Sequence, residues 1–311
     1  MSALLDIREK LIDTHAAIVH MEAELSANRD DEGLSLMLES LIKRQQSLES
    51  DFLEVAYREQ LEVCSYRLIR EQMEGIFPVA ALGDTLKNFQ TWLTTIFDAI
   101  RTGPKERARP SADMVQQSTL DFGYAFAGSL GFVFTIPNER LLFGGSDLDQ
   151  AVDVMFRMLH SQKQEELVEF AHLFGVSAVR RMYDWADTHR RYIVSADIKW
   201  RRGDAVRNEV LLQAPEAENL CKLIESKNDI EGDVIVVTGQ LVGGDTVTNT
   251  FHLRFPNSPD MKGHMTQKFS YSGDLVLDRN YEARVLVTKT IYYATDSEDI
   301  DYELLELKPL N

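Results

Sequence analysis

Residues 4–25 read LLDIREKLIDTHAAIVHMEAEL, and residues 34–55 read LSLMLESLIKRQQSLESDFLEV. In each segment apolar side chains recur at spacings of three and four residues, which is the heptad pattern of a coiled coil. Gly33 stands between the two segments and, with the polar residues just before it, marks a turn. Two facing seams joined by a short turn predict an antiparallel helical hairpin (coiled coil) within residues 1–74.

The second helix of this hairpin is predicted to outrun the first and to reach Glu74. Its distal half carries Leu61, Tyr66, Ile69 and Met73 at helical spacing. Because the first helix is too short to cover them, these side chains must bury against the rest of the protein or against another chain. We therefore expect them to form an interaction seam, and we expect the hairpin to bind a protein partner or a second copy.

Composition divides the rest of the chain into three regions. Residues 75–110 contain an amphipathic packing helix followed by a cationic linker, GPKERARP. Residues 111–229 combine predicted strands and helices in an α+β domain. Residues 230–311 contain five short predicted strands separated by turn residues, a pattern that fits a small β-barrel of the OB or SH3-like type. The predicted fold class is α+β multidomain.

Charge and cysteine content narrow the class of protein. The 311 residues suffice for two or three domains of about 150 residues. A net charge of −17 repels phosphate at long range and disfavours non-specific binding to nucleic acid or to an anionic membrane. Cys64 and Cys221 form no CxxC pair, so no disulfide framework is expected. The acidic N-terminal segment does not match a signal peptide and no long apolar run occurs, so we expect a cytoplasmic protein that does not bind membranes.

One pair of residues has a catalytic spacing. Asp197 and Lys199 lie two positions apart on a predicted strand and project from the same face. A carboxylate and a lysine so placed can hold a metal ion and a scissile phosphate. The pattern needs a second metal-binding carboxylate, which the sequence does not place. A solvated strand face is the favoured interpretation, and a metal-dependent nuclease or phosphate-processing enzyme centred on this pair is the first alternative.

Basic residues are concentrated between positions 180 and 202. Arginine forks suit phosphate and carboxylate groups, so the second alternative is nucleic-acid or nucleotide binding through this arginine patch. Acidic residues interleaved at helical spacing favour ion pairs within the chain or with a partner. The patch comprises Arg180, Arg181, Arg190, Arg191, Arg201 and Arg202.

The remaining motifs predict no metal and no cofactor. The HExxH, P-loop, dinucleotide-binding and GxSxG patterns are all absent from the sequence. We therefore predict a non-enzymatic protein–protein interaction or scaffold subunit of a cytosolic assembly. Accessory proteins of bacterial multi-subunit systems, antiphage (antiviral) defence included, combine modules of this kind, which is an analogy at the level of fold.

Overall fold

The structure is a computed structural model, and it divides the chain into two compact units, Met1–Glu225 and Ser226–Asn311. The predicted domain boundaries after residues 74 and 110 fall inside the first unit, and the predicted start of the barrel at residue 230 lies close to the division. The described residues are 2–28, 30–70, 77–126, 130–139, 145–226, 228–245, 247–256, 258–271, 275–295 and 298–310.

The first unit contains helices and strands in mixed order along the chain. They are α1 (Ser2–Ala27), α2 (Glu32–Arg58), β1 (Leu61–Ile69), α3 (Val79–Thr102), α4 (Ala112–Gln117), β2 (Asp121–Phe126), β3 (Leu130–Pro137), α5 (Asp147–Leu159), α6 (Gln164–Phe174), α7 (Val176–Tyr192), β4 (Ser195–Arg202), β5 (Ala205–Leu212) and α8 (Ala214–Glu225). The mixed α+β class predicted from the sequence is confirmed.

The five strands of this unit form one antiparallel sheet in the order β2-β3-β1-β4-β5. Because side chains alternate across a strand, Cys64, Tyr66 and Leu68 of β1 all lie on one face, where they are buried. Tyr66 packs edge-to-face on Phe89 of α3, with the ring centroids 4.9 Å apart. The main core of the unit therefore lies between this face and the helices that cover it.

The prediction that the second helix continues beyond Arg58 to Glu74 is wrong. α2 ends at Arg58, and the following segment is β1, which pairs with β3 on one side and with β4 on the other. The residues 61–69, LEVCSYRLI, have a spacing that satisfies both the helical and the strand period. Two neighbouring strands favour the extended form because they pair its backbone on both sides.

The predicted interaction seam is wrong for the same reason. Tyr66 is fully buried in the core, and Leu61 and Ile69 are half-buried at the two ends of a central strand. These side chains are therefore part of the sheet and do not form an exposed helical seam. Met73 lies outside the described residues.

The helices α1 and α2 pack on each other and cover part of the second face of the sheet. Leu11 of α1 and Phe52 of α2 share one buried cluster with Val63 of β1 and Val133 of β3. The side chain of Asp31 accepts a hydrogen bond from the backbone N–H of Leu34 at 3.0 Å and so caps α2. The two helices predicted from the heptad pattern are thus present, and one end of the pair lies against the sheet.

The predicted linker at residues 103–110 is attached to the first unit. The carbonyl of Lys105 accepts hydrogen bonds from the backbone N–H of Ser177 at 3.2 Å and from its hydroxyl at 2.7 Å. Lys105 Nζ also lies 2.7 Å from a carboxylate oxygen of the buried Asp98. Gly175 has a φ of +88°, and a Cβ there would lie 2.2 Å from the Lys105 carbonyl oxygen, so this approach requires glycine.

The second unit is a closed barrel of five strands, as the sequence predicts. The strands are β6 (Asn228–Asp245), β7 (Thr250–Arg254), β8 (Met261–Tyr271), β9 (Arg279–Tyr292) and β10 (Glu298–Pro309). They are ordered β10-β8-β7-β6-β9, with β8 and β10 parallel and the other described pairs antiparallel. Leu253, Val285 and Leu304 are fully buried at its centre. A Cβ at Gly263 would lie 2.0 Å from the carbonyl oxygen of Tyr302, so glycine permits the close approach of β8 to β10.

Among the described residues, no helix is both long enough and apolar enough to cross a lipid bilayer.

Candidate interaction surfaces

A cleft of about 890 Å³ follows the outer edge of β5. Because β5 pairs only with β4 among the described strands, one side of its backbone has no neighbouring strand. Residues 209–212 of β5 line the cleft, together with residues 159–162 at the end of α5 and several residues of α8. A second cleft, of about 570 Å³, shares His160, Ser161 and Glu209 with the first and extends along α6. The two clefts are therefore continuous along the sheet edge. Together we call them the β5 cleft.

The predicted catalytic pair lies in the β5 cleft. Lys199 Nζ is 3.7 Å from Glu209 Oε2 on the neighbouring strand. Asp197 stands between Arg67 of β1 and Leu211 of β5 in the strand register. Acidic and basic side chains thus alternate across this face, as is typical of a solvated antiparallel sheet. In the part of the chain that the structure describes, no three His, Cys, Asp or Glu side chains converge to hold a metal ion.

The arginines of the patch that lie on α7 are engaged within the chain. Arg190 binds Asp187 at 2.5 Å and Glu225 of α8 at 2.9 Å, and Arg191 binds Asp187 at 2.8 Å. Arg181 binds its own neighbour on the helix, Asp184, at 2.8 Å. Arg180 is buried and donates to the carbonyl of Glu106 at 3.4 Å. The structure therefore brings Arg190 and Arg191 together around one carboxylate and places Arg180 in the interior.

The other two arginines are consecutive residues of β4, so their side chains lie on opposite faces of the sheet. Arg202 binds the carboxylate of Glu62 and, at 2.5 Å, that of Asp149. Arg201 stands opposite Val63 in the strand register and is half-buried. The six arginines therefore do not form one continuous cationic surface in the structure.

The partner of Arg202, Glu62, is the centre of a charged group that sequence reasoning missed. Glu62 is 1 % exposed and accepts hydrogen bonds from Trp200 Nε1 at 2.9 Å and from Asn138 Nδ2 at 3.1 Å. Its carboxylate is therefore paired and hydrogen-bonded, as burial of a charge requires. The signal was present in the sequence, because a strand over LEVCSY places this glutamate on the same face as Cys64 and Tyr66.

Asp149 completes this group from the first turn of α5. Its carboxylate binds Arg202 and Arg207 and also accepts from the backbone N–H of Ser146 at 3.0 Å. Burial raises the pKa of Asp149, but the hydrogen bonds from Ser146 and Arg207 outweigh it and hold this pKa below its ordinary value. The group connects β1, β4, β5 and α5, and its polar atoms face one another, so its role is to hold these elements together.

A second buried polar chain crosses the core of the first unit. Trp185 Nε1 donates to Tyr66 Oη at 2.9 Å, and Tyr66 Oη lies 2.8 Å from His189 Nε2. His189 Nδ1 lies 2.8 Å from the carbonyl of Val194, which can only accept, so Nδ1 carries the proton and Nε2 accepts from Tyr66. Burial lowers the pKa of His189 to about 4 because it penalises the charged imidazolium.

Stability is expected to fall as the pH drops from about 6.5 towards about 4, the interval between the ordinary pKa of histidine and that of His189. The unfolded chain binds a proton in this interval and the folded chain does not, so the loss at about pH 4.5 is about 2.5 kcal/mol. Urea unfolding at several pH values measures it. In the His189→Gln variant, which has no titratable group at this position, this part of the pH dependence should vanish. An unchanged pH slope in that variant would contradict the assignment, and the exposed His20→Gln serves as control.

The outer side of α1 carries a second apolar row. Leu5, Ile12 and Val19 are spaced by seven residues and are 53 %, 45 % and 45 % exposed. They stand next to the seam that packs on α2 and are not part of it. By the heptad register, the exposed Ile42 of α2 lies on the same side of the helix pair. We call these four side chains the α1 face.

No protein-family model matches the chain, and no curated protein or solved structure matches it either. Functional proposals therefore depend on the fold and on the side chains described above.

Proposed function

We propose that this protein is a non-enzymatic interaction or scaffold subunit of a cytosolic assembly, and that it associates through the α1 face. The observation that carries the proposal is the regular apolar row on the outside of α1. This helix already packs on α2 through its other apolar seam. Because an apolar row exposed to water is unfavourable, we expect a partner to cover it. Two buried free thiols, Cys64 and Cys221, support a reducing compartment. An antiphage-defence context rests on analogy alone.

The partner proposed for the α1 face is a second copy of this chain. The row is symmetric about Ile12, so an antiparallel contact between two α1 helices places Leu5 of each copy opposite Val19 of the other. Such a contact is isologous, which is the interface type of two-fold dimers. It would turn the hairpin pair into a four-helix arrangement with apolar contacts of the coiled-coil kind.

An OB-type barrel is part of the proposal for the second unit. Numbered within the barrel, the strands follow the closed order 1-2-3-5-4-1, with the third and fifth strands parallel. This order supports the OB type over the SH3-like type. It carries no functional argument by itself, because one barrel type serves many functions.

Substitution of the apolar row should abolish association. We expect the Leu5→Gln, Ile12→Gln, Val19→Gln variant to have the mass of one chain by multi-angle light scattering at micromolar concentration, where the natural chain has twice that mass. Glutamine keeps the helix propensity and removes only the apolar contact, so the fold is retained.

The matched control for this test lies on the same hairpin. Leu36→Gln and Met37→Gln remove two exposed apolar side chains of α2 that point away from the α1 face by the heptad register. This control should keep the mass of a dimer. A natural chain with the mass of a single copy would refute association through the α1 face.

The two alternatives have less support from the geometry. For a nuclease, Lys199 lies beside Glu209 rather than beside a free phosphate position, and no metal-binding group is found among the described side chains. For nucleic-acid binding, the arginines on α7 already bind carboxylates or a carbonyl of the same chain. Each alternative would need these contacts to be replaced by the ligand.

A further inference from the structure

We infer that the β5 cleft binds an extended, basic segment of a partner protein, which adds as a further strand to β5. This inference rests on the interaction role proposed above but uses a different surface. An edge strand presents unpaired N–H and C=O groups at alternate residues, and strand addition satisfies them. Residues 209–212 of β5 line the cleft, and residues 205–211 of this strand are exposed or half-buried, so a second chain can approach its outer edge.

The side chains beside this edge supply the contacts that strand addition needs. Leu211 of β5 lines the cleft and is 54 % exposed, so it offers an apolar position to an incoming strand. Residues at the end of α5 and residues of α8 line the cleft together with residues 209–212. The β5 cleft thus combines the outer backbone edge of β5 with an exposed apolar side chain.

The charge of the cleft selects a basic segment. Six carboxylate side chains line it against three cationic ones, Arg157, Lys199 and Arg207. Lys199 and Glu209 pair with each other at 3.7 Å, and Arg207 pairs with Asp149 and, at 3.8 Å, with Asp153, so carboxylates remain in excess over cations. The local field is therefore negative, and lysine or arginine side chains complement it. The carboxylates are Asp153, Glu166, Glu169, Asp197, Glu209 and Glu216.

The same charge disfavours the other occupants. A nucleic acid would bring phosphates to a negative cleft, and the repulsion would be strongest at low salt. A second copy paired edge to edge would place Glu209 and the other carboxylates of both chains along one groove, and like charges on facing strands are destabilising. An extended basic peptide meets neither obstacle.

Selection from a library of random dodecapeptides displayed on phage tests the inference with the full chain. Peptides enriched on the natural chain should alternate lysine or arginine with aliphatic residues. The Glu169→Lys, Glu209→Lys variant should bind the enriched peptide about tenfold more weakly, because both substitutions place a cation where the peptide needs a carboxylate. Saturation with the peptide should also slow amide hydrogen exchange within residues 205–212, which electrostatic binding alone would not do.

A matched control has the same change in net charge outside the cleft. Glu165→Lys with Glu218→Lys alters exposed residues of α6 and α8 that do not line it, and this variant should bind the peptide like the natural chain. Equal binding by the cleft variant and the natural chain, unchanged exchange in β5, or failure to enrich any peptide over the cleft variant would each overturn the inference. None of these readouts depends on the α1 face. Light scattering tests association through the α1 face separately.

Discussion

Removal of residues 1–75 is expected to abolish folding of the first unit. β1 lies in the middle of the sheet, and its loss leaves both β3 and β4 without their central neighbour. It also removes Tyr66 and Leu68 from the core. Because buried backbone groups must be paired and cores tolerate no gap of this size, the remaining elements have no stable packing.

Two measurements on the chain that starts at Ile76 test this expectation. Near-ultraviolet circular dichroism should lose the signal of the buried tryptophans, and hydrogen exchange should show protection only in the barrel strands β6 to β10. Native-like protection in β3, β4 and α7 of this shortened chain would contradict the central position of β1.

A shorter deletion is the matched control for this prediction. Removal of residues 1–58 keeps β1 and deletes only α1 and α2. The first unit should then remain folded but be destabilised, because Val63, Tyr124 and Val133 lose the cover that Leu11 and Phe52 provide. The contrast between the two deletions separates a supporting helical pair from an essential strand.

The Glu62→Ala substitution is expected to destabilise the first unit by about 3 kcal/mol or more. It leaves the buried Trp200 Nε1 without its acceptor and removes one of the two carboxylates that bind Arg202, whose side chain is 29 % exposed and keeps Asp149. Breaking a fully buried ion pair by deleting one partner costs about 3–5 kcal/mol, and the partial exposure of Arg202 places the expected loss at the lower end of this range. Urea unfolding followed by tryptophan fluorescence measures the loss.

A double-mutant cycle identifies the cause of this loss. The Glu62→Ala, Arg202→Met variant should lose less stability than the two single variants together, because it leaves no unpaired charge between these positions. The control is Asp153→Asn at the rim of the same group, where the carboxylate is half exposed and the expected change is about 0.5 kcal/mol or less. A loss below about 1 kcal/mol in Glu62→Ala would refute the role assigned to the group.

The candidate site was only partly predictable from the sequence. The strand period correctly places Asp197 and Lys199 on one face of β4, because alternation is a local property of the chain. That Lys199 faces Glu209, and that both line a cleft at a sheet edge, follows from the pairing of β4 with β5 and from the absence of a further strand beside β5 in the described sheet. No local pattern in the sequence marks a strand as an edge.

The sequence by itself determined the features that depend on local periodicity. These are the helices α1 and α2, the strands β4 and β5, and the division of the C-terminal region into five barrel strands. Apolar residues spaced by three and four positions mark the buried face of a helix, and apolar residues spaced by two mark the buried face of a strand. Both patterns hold whatever the element packs against.

Only the tertiary structure decided between helix and strand for residues 61–69 and assembled the group around Glu62. That segment fits both periods, and its conformation is chosen by β3 and β4, which come much later in the chain. Glu62, Asn138 and Arg202 meet for the same reason. Burial of a charge is stable only where partners from other strands arrive, so such a group depends on strand order and not on any local pattern.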